Sequence, residues 1–221
     1  MKIKTIIVFL FVSLVIVSFI AARGYRYFDR YRNSEQFRNL PEPEKKWVYS
    51  HPFIAKRAHE ISNYSKGVAE EMRSSPILDG DKDGGQVDAF RHAYWMALLT
   101  REFGKKSALS LGQAHEDANY LDFLSRNLED GAVPTHQGTL MDLANNRVGA
   151  EIGHKNRHVS DSAMVEIVID AILTGKCTVL LKNKHGNYLD SLGEVIPYGD
   201  YKGQWETAKV LVPSNASRKS H

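Results

Sequence analysis

Three clusters of polar side chains lie on otherwise apolar stretches of this sequence, and their residue types are those used in acid–base and metal chemistry. In chain order, they are Asp88, Arg91 and His92; His115, Glu116 and Asn119; and Asp142, Asn145 and Asn146. Imidazoles and carboxylates are ligands of Zn²⁺ and similar divalent ions, and an imidazole beside a carboxylate can also act as an acid–base pair in hydrolysis. Because native cores rarely collect many polar groups without a purpose, we expect the clusters to meet in one cavity.

Separate roles can be assigned to these side chains from their chemistry. The groups expected to act in catalysis are His92, His115, Glu116 and Asp142. Among them, the expected metal ligands are His92, His115 and Asp142. The groups expected to bind or orient a substrate are Asp88, Arg91, Asn145 and Asn146. The alternative is a hydrogen-bonded network that ties helices together and does no chemistry.

An acidic turn precedes the first cluster. Asp79, Asp81 and Asp83, followed by Gly84, reproduce the first half of a calcium-binding loop. The bidentate Glu expected at the twelfth position is absent, since Phe90 stands there. Asp and Gly favour turns in any case, so a calcium site and a plain turn are both open interpretations.

The three clusters lie on segments whose patterns predict helices. Val87–Phe103 is apolar nearly all round, which predicts a helix in the middle of a domain. The second and third clusters fall on predicted helices that run from Ser107 to about Leu124 and from Thr139 to about Gly153. In the last of these, Gly149 and Gly153 would let another backbone approach closely.

The remaining pattern predicts a mainly α fold with a small C-terminal β-hairpin. Ser160 starts an amphipathic helix over Ala163–Leu173. Thr178–Leu181 and Tyr188–Leu189 are the two predicted strands of the hairpin. The predicted domains are a transmembrane anchor (1–22), a basic juxtamembrane linker (23–45), a compact helical domain (46–212) and a disordered tail (213–221).

The N-terminal segment has the composition of a membrane anchor. Thr5–Ala22 is uncharged and about 18 residues long, near the lower limit for spanning a bilayer. A cleavable signal peptide is the alternative, but Phe19 and Ile20 make a poor cleavage site. We therefore expect an uncleaved transmembrane helix that contacts membrane lipids.

The charge distribution separates this N-terminal region from the rest of the chain. The formal net charge is +3, and residues 1–38 hold seven of the 29 Lys and Arg but only two of the 26 Asp and Glu. The remaining chain is close to neutral, which argues against nucleic acid as a partner. The single cysteine, Cys177, excludes an intramolecular disulfide.

The cluster motifs also resemble those of a known domain family. Asp88–Trp95 (DAFRHAYW), His115-Glu116 and Met141–Gly149 (MDLANNRVG) resemble an uncharacterised bacterial α-helical domain family, which occurs in wall-associated, repeat-rich and polymorphic-toxin-like proteins. The resemblance extends over about residues 50–190. It implies a helical fold and a shared site at Asp88, Arg91, His92, His115, Glu116, Asp142, Asn145 and Asn146. The family has no established activity, so the resemblance does not supply the reaction.

These observations lead to one functional hypothesis and one alternative. The hypothesis is a single-pass protein of the bacterial inner membrane, with its helical domain on the extracytoplasmic side. Its buried site would bind Zn²⁺ or Ca²⁺ and hydrolyse an envelope component, such as a phospholipid or a cell-wall fragment. The alternative is a non-catalytic envelope module that binds a protein or lipid partner and whose polar helices are structural. No specific protein partner is indicated.

Overall fold

The computed structural model describes residues 3–128 and 133–216 of the 221-residue chain. The described chain is mainly helical and has a small antiparallel sheet near its C-terminus, which confirms the predicted fold class. It divides into two compact units, one up to Ala58 and one from His59 onwards. In chain order, the elements are α1 (Ile3–Arg32), α2 (Glu35–Arg38), α3 (Glu42–Ser50), α4 (Ala55–Arg73), α5 (Gln86–Phe103), α6 (Lys105–Ser125), α7 (His136–Lys155), α8 (Asp161–Leu173), β1 (Thr178–Leu180), α9 (Tyr198–Tyr201) and β2 (Leu211–Pro213).

The structure does not support the predicted membrane anchor. Within residues 3–128 and 133–216, no helix combines the length and the apolar character that crossing a membrane requires. The uncharged segment belongs to α1, but α1 continues through an arginine-rich half that ends at Arg32, and the uncharged run itself was at the lower limit of length. The predictions of a transmembrane signal anchor and of a single-pass inner-membrane location are therefore wrong. Met1 and Lys2 of the predicted anchor lie outside the described residues.

Aromatic side chains form the interior of the first unit. The ring of Phe37 packs edge-on against the rings of Tyr31 and Tyr49, at centroid distances of 6.1 and 5.5 Å. Trp47 stacks on His51 with 4.3 Å between the ring centroids. Such pairs add to the apolar burial, so short helices such as α2 and α3 gain stability that their length alone would not provide.

Helix α5 is the central element of the second unit. It packs against α6, α7, α8 and β1, and side chains on all its faces are fully buried, including those of Phe90 and Tyr94. This confirms the burial predicted from its apolar composition. The N-cap residue of α5, Gly85, has no side chain with which to cap the helix. Instead, the Asp79 carboxylate accepts the first backbone N–H of α5, that of Gln86, at 2.8 Å.

Helices α5 and α7 pack backbone against backbone. A Cβ atom on Gly149 would lie 2.1 Å from the carbonyl oxygen of Ala93, and one on Gly153 would lie 2.2 Å from the carbonyl oxygen of Ala97. Only residues without a side chain fit at these two positions. The close approach predicted from the two glycines is confirmed, and α5 is the helix that makes it.

The C-terminal sheet is formed by strands far apart in the sequence. β1 pairs antiparallel with β2, with Val179 opposite Val212. The segment predicted as the return strand of a hairpin makes single bridges, from Lys182 to Tyr188 and from Leu189 to Val195. A small C-terminal hairpin is thus confirmed, but the strand that completes the sheet is β2.

The last described residues fasten the chain end to the helices. Pro213 ends β2, and Ser214 is buried. The Ser214 hydroxyl donates to the carbonyl of Ile172 at 2.7 Å, and its own carbonyl accepts from the Gln86 side chain at 2.7 Å. Residues 217–221 of the predicted disordered tail lie outside the described residues.

A first prediction concerns the contact between α5 and α7. Gly149→Ala should lower the free energy of unfolding by roughly 1–3 kcal/mol or more, because the added methyl group overlaps the Ala93 carbonyl and forces the helices apart. The matched control is Gly67→Ala in α4, where an added Cβ meets nothing within 4 Å. That change should raise stability by up to about 1 kcal/mol through helix propensity. Denaturant unfolding of the full chain measures both, and equal effects would contradict the packing argument.

Candidate metal centre

Asp88, His92 and Asp142 each bring one candidate ligand atom to the interior of the second unit. Asp88 and His92 lie one turn apart on α5, and Asp142 lies on α7; all three residues are buried. The three ligand atoms lie within 4.8 Å of one another. Within the described part of the chain, this is the group of His, Cys, Asp or Glu residues that could hold a metal ion. We refer to it as the Asp–His–Asp group.

The spacing of these atoms is that of metal ligands. The Nε2 atom of His92 lies 3.2 Å from Oδ1 of Asp142 and 3.7 Å from Oδ1 of Asp88. Two ligand atoms bound tetrahedrally to one Zn²⁺ lie about 3.3 Å apart, whereas a charge-assisted N–H···O hydrogen bond is about 2.7–2.9 Å long. Neither ring nitrogen of His92 makes a well-formed hydrogen bond within the described residues. The geometry therefore fits ligation of an ion better than direct pairing.

The carboxylate of Asp88 is held from two sides. Its Oδ2 atom accepts the backbone N–H of Gly84 at 2.8 Å, and its Oδ1 atom accepts from Nη2 and Nε of Arg91 at 2.8 and 3.2 Å. Donors of this kind fix the orientation of a ligand carboxylate. Asp88 was expected to bind substrate, but the structure places it among the candidate ligands, with Arg91 as its support.

His92 has the protonation state that metal binding requires. Complete burial lowers its pKa well below the usual value, because a charged imidazolium loses its hydration there. Electrostatic interactions with Arg91 and with His115 lower this pKa further, while the interaction with Asn146 raises it. The ring is neutral at neutral pH, and a neutral imidazole is the form that binds a metal.

His115 lies beside the Asp–His–Asp group and is not part of it. Its ring centroid is 6.3 Å from that of His92 and 5.5 Å from that of Trp95, which it meets edge-on. The predicted ligand set of His92, His115 and Asp142 stays a prediction, whereas the group that the structure brings together has Asp88 as its third member. The reason is the rotation of α6, which directs His115 against the indole of Trp95.

Glu116 is linked to the pocket by a hydrogen bond with Asn119. The Glu116 carboxylate is buried and accepts a hydrogen bond from the Asn119 amide at 3.2 Å. Asn119 in turn lines a pocket together with Asp88 and Asp142. The catalytic role predicted for Glu116 stays a prediction; in the structure its carboxylate contacts Asn119.

The two adjacent asparagines of α7 have different surroundings. Asn145 pairs with the backbone of Thr178 through both ends of its amide, donating to the carbonyl at 2.9 Å and accepting the N–H at 2.8 Å. It therefore fastens β1 to α7, which offsets its poor helix propensity. Asn146 is buried, and neither of its amide atoms makes a well-formed hydrogen bond within the described residues. Its side chain does interact with the ring of His92, whose pKa it raises.

The carboxylates of the acidic turn have partners within the protein, and the predicted calcium site there stays a prediction. Asp79 accepts backbone N–H groups of Gln86 and Asp81, and Asp81 pairs with the Lys182 ammonium at 2.5 Å. Asp83 accepts the Tyr188 hydroxyl at 2.8 Å. Within residues 3–128 and 133–216, these carboxylates do not converge as ligands; they cap α5 and bind the C-terminal segment instead.

Sequence reasoning missed Lys209, which lines the same pocket as Asp88 and Asp142. Its ammonium lies over the rings of Tyr188 and Tyr201, 3.8 and 4.9 Å from their centroids. Burial lowers its pKa to about 8. No motif surrounds Lys209, and no local pattern in the sequence could have indicated it, because it reaches the pocket only through the pairing of β2 with β1.

The fold and the site together define a mainly helical domain with an Asp–His–Asp group buried between two closely packed helices. The chain belongs to a family described as a domain of unknown function, DUF6973, whose model matches residues 45–176. This agrees with the predicted resemblance to an uncharacterised domain, while the occurrence of the family in bacteria stays a prediction. No curated protein and no solved structure matches the chain.

A second prediction separates the two asparagines. Asn145→Ala should lower the free energy of unfolding by about 1–3 kcal/mol, because it removes both hydrogen bonds to Thr178. Asn63→Ala, which alters an exposed amide on α4, is the matched control and should change stability by less than about 0.5 kcal/mol. Thermal unfolding measures both variants. A stability of Asn145→Ala equal to that of the control would contradict the structural role.

Proposed function

We propose that this protein binds one divalent metal ion through Asp88, His92 and Asp142 and uses it to hydrolyse its substrate. The observation that carries the proposal is the convergence of three buried ligand atoms, at separations that suit an ion. Two of them come from one turn of α5 and the third from α7, across the glycine contact.

The cost of burying the two carboxylates favours an ion. Two negative charges in a low-dielectric site repel each other, and each loses hydration worth several kcal/mol unless it is compensated. Arg91 offsets the charge of Asp88 by a two-pronged contact. A divalent ion would offset both charges and would use the lone pair of the neutral His92 ring.

The mixture of donor atoms narrows the choice of metal. Carboxylate oxygens suit Mg²⁺, Ca²⁺ and Mn²⁺, whereas imidazole suits Zn²⁺ and related transition metals, so Zn²⁺ and Mn²⁺ fit both kinds of donor. Three protein ligands leave coordination positions open, as in catalytic rather than structural zinc sites. A bound ion of this kind lowers the pKa of a bound water to about 7 and so supplies a nucleophile.

The protein groups around the ligands have the roles that hydrolysis needs. Arg91 and Asn119 line the pocket beside Asp88 and Asp142, where they can bind and orient a substrate. Glu116 positions Asn119, and His115 is close enough to His92 to exchange protons with the site through a water molecule. An envelope substrate followed only from the predicted membrane anchor, and it loses its support with that anchor.

A third prediction tests metal binding directly. Asp142→Asn keeps the shape of the side chain but removes its charge, so it should weaken Zn²⁺ or Mn²⁺ binding by at least about 100-fold. Asp200→Asn, an equal change at an exposed position in α9, is the control and should leave the affinity unchanged. Equilibrium dialysis of the full chain gives stoichiometry and affinity. Failure of the wild-type chain to bind one ion per molecule would contradict the proposal.

A fourth prediction tests hydrolysis. The metal-loaded chain should hydrolyse at least one substrate in a panel of esters, amides and phosphate esters, lose this activity with a chelator and regain it with Zn²⁺ or Mn²⁺. Asp142→Asn should lose the activity, and Asp200→Asn should keep it. If the loaded chain binds its ion but turns over nothing, the alternative of a non-catalytic binding module is favoured instead.

A further inference from the structure

Lys209 forms no ion pair in the part of the chain that the structure describes, and the carboxylate that attracts it electrostatically, Asp83, already accepts the Tyr188 hydroxyl at 2.8 Å. Its Nζ atom lies over the faces of Tyr188 and Tyr201, and there it makes neither a hydrogen bond nor an ion pair. The neighbouring Lys182 is different, because its ammonium pairs with Asp81. A half-buried ammonium that lies over two aromatic faces and forms no ion pair has lost part of its hydration, so an external anion can bind it.

Lys209 lines the pocket that is also lined by Asp88 and Asp142 of the Asp–His–Asp group. The pocket joins the acidic turn, α5, α6, the start of α7 and β1. Its ionisable lining groups are Lys82, Asp83, Asp88, Arg91, Asp142 and Lys209. A ligand in the pocket can therefore touch the candidate metal ligands and Lys209 at the same time.

The charges around the pocket indicate what kind of ligand would fit. Its three carboxylates and three cationic side chains balance one another, so a divalent ion on the Asp–His–Asp group leaves two positive charges in excess. A phosphate monoester carries about two negative charges at neutral pH, and it offers several strong acceptor oxygens. A carboxylate carries one charge and two oxygens, so it satisfies the pocket less completely.

We propose that this pocket binds the phosphoryl group of its ligand, with Lys209 as an anion-binding residue in the same lining as Asp88 and Asp142. This proposal rests on the proposed metal-dependent function, because the ion on the Asp–His–Asp group would provide the second contact to the phosphoryl group. It names phosphate esters as the substrate class. Hydrolysis of such an ester forms a bond from the water oxygen to phosphorus and breaks the ester P–O bond. The leaving oxygen takes up a proton, and the products are phosphate and an alcohol.

A fifth prediction tests this inference by calorimetry on the full chain loaded with Mn²⁺. Inorganic phosphate and methyl phosphate should bind more tightly than acetate, and Lys209→Met should weaken phosphate binding by about tenfold or more. Methionine keeps the apolar stem between the two tyrosines. The control Lys184→Met removes the same charge at an exposed position outside the pocket and should change the affinity less than twofold. Lys209→Arg should restore most of the affinity.

A second readout distinguishes anion binding from a merely structural role. Lys209→Met removes a positive charge from the pocket, so its Mn²⁺ affinity should stay equal or increase while its phosphate affinity falls. Damage to the fold would weaken both. Dimethyl phosphate, tested in the same way, distinguishes monoesters from diesters as the source of the phosphoryl group. Binding of methyl phosphate alone indicates a monoester, and binding of both compounds indicates that diesters also fit.

The possible failures are distinguishable. If the chain takes up no metal but still binds phosphate in a Lys209-dependent manner, the metal-dependent function is overturned and the phosphoryl pocket is supported. If the chain takes up Mn²⁺ but binds phosphate no more tightly than acetate, the inference is overturned and the metal site stands. Equal phosphate affinities of Lys209→Met and Lys184→Met would also overturn it.

Discussion

The geometry of the site depends on the contact between the backbones of α5 and α7. Gly149 and Gly153 allow α7 to lie directly on the carbonyls of Ala93 and Ala97, a contact that a single methyl group would prevent. His92 precedes Ala93 in sequence, and Asp142 lies about two helical turns before Gly149. A metal site tolerates errors of only about half an ångström in its ligands, so a rigid helix pair is the support that such a site needs.

The small sheet and the acidic turn extend this support to Asp88. The N–H of Gly84 orients the Asp88 carboxylate, and the carbonyl of Gly84 accepts from Leu180 of β1 at 2.8 Å. Asn145 of α7 holds the first residue of the same strand, Thr178, by both of its backbone groups. β1 therefore links the turn that orients Asp88 to the helix that carries Asp142.

The features that could be predicted are those that depend on residues close together in the sequence. The helical clusters and the close approach at Gly149 and Gly153 follow from periodicity and residue size, which act within a few turns. That Asp88 lies near His92 and Asp142 while His115 packs against Trp95 could not be predicted, because it depends on the rotation of α6 about its axis. The role of the acidic turn was ambiguous, since the same short side chains that begin a calcium loop also cap helices. Lys209 enters through pairing between distant strands, for which the local sequence holds no signal.

The burial of His92 favours metal binding over direct acid–base catalysis as its role in the proposed function. A general base must come within hydrogen-bond distance of the proton it removes, but His92 is 0% exposed and is not part of the pocket wall. The two carboxylates of the Asp–His–Asp group do line the pocket. A buried imidazole in this position cannot touch a substrate directly. It can affect a substrate through a metal ion that it binds together with the two carboxylates. Direct acid–base catalysis by His92 would require the helices to separate, which the backbone contact between α5 and α7 opposes.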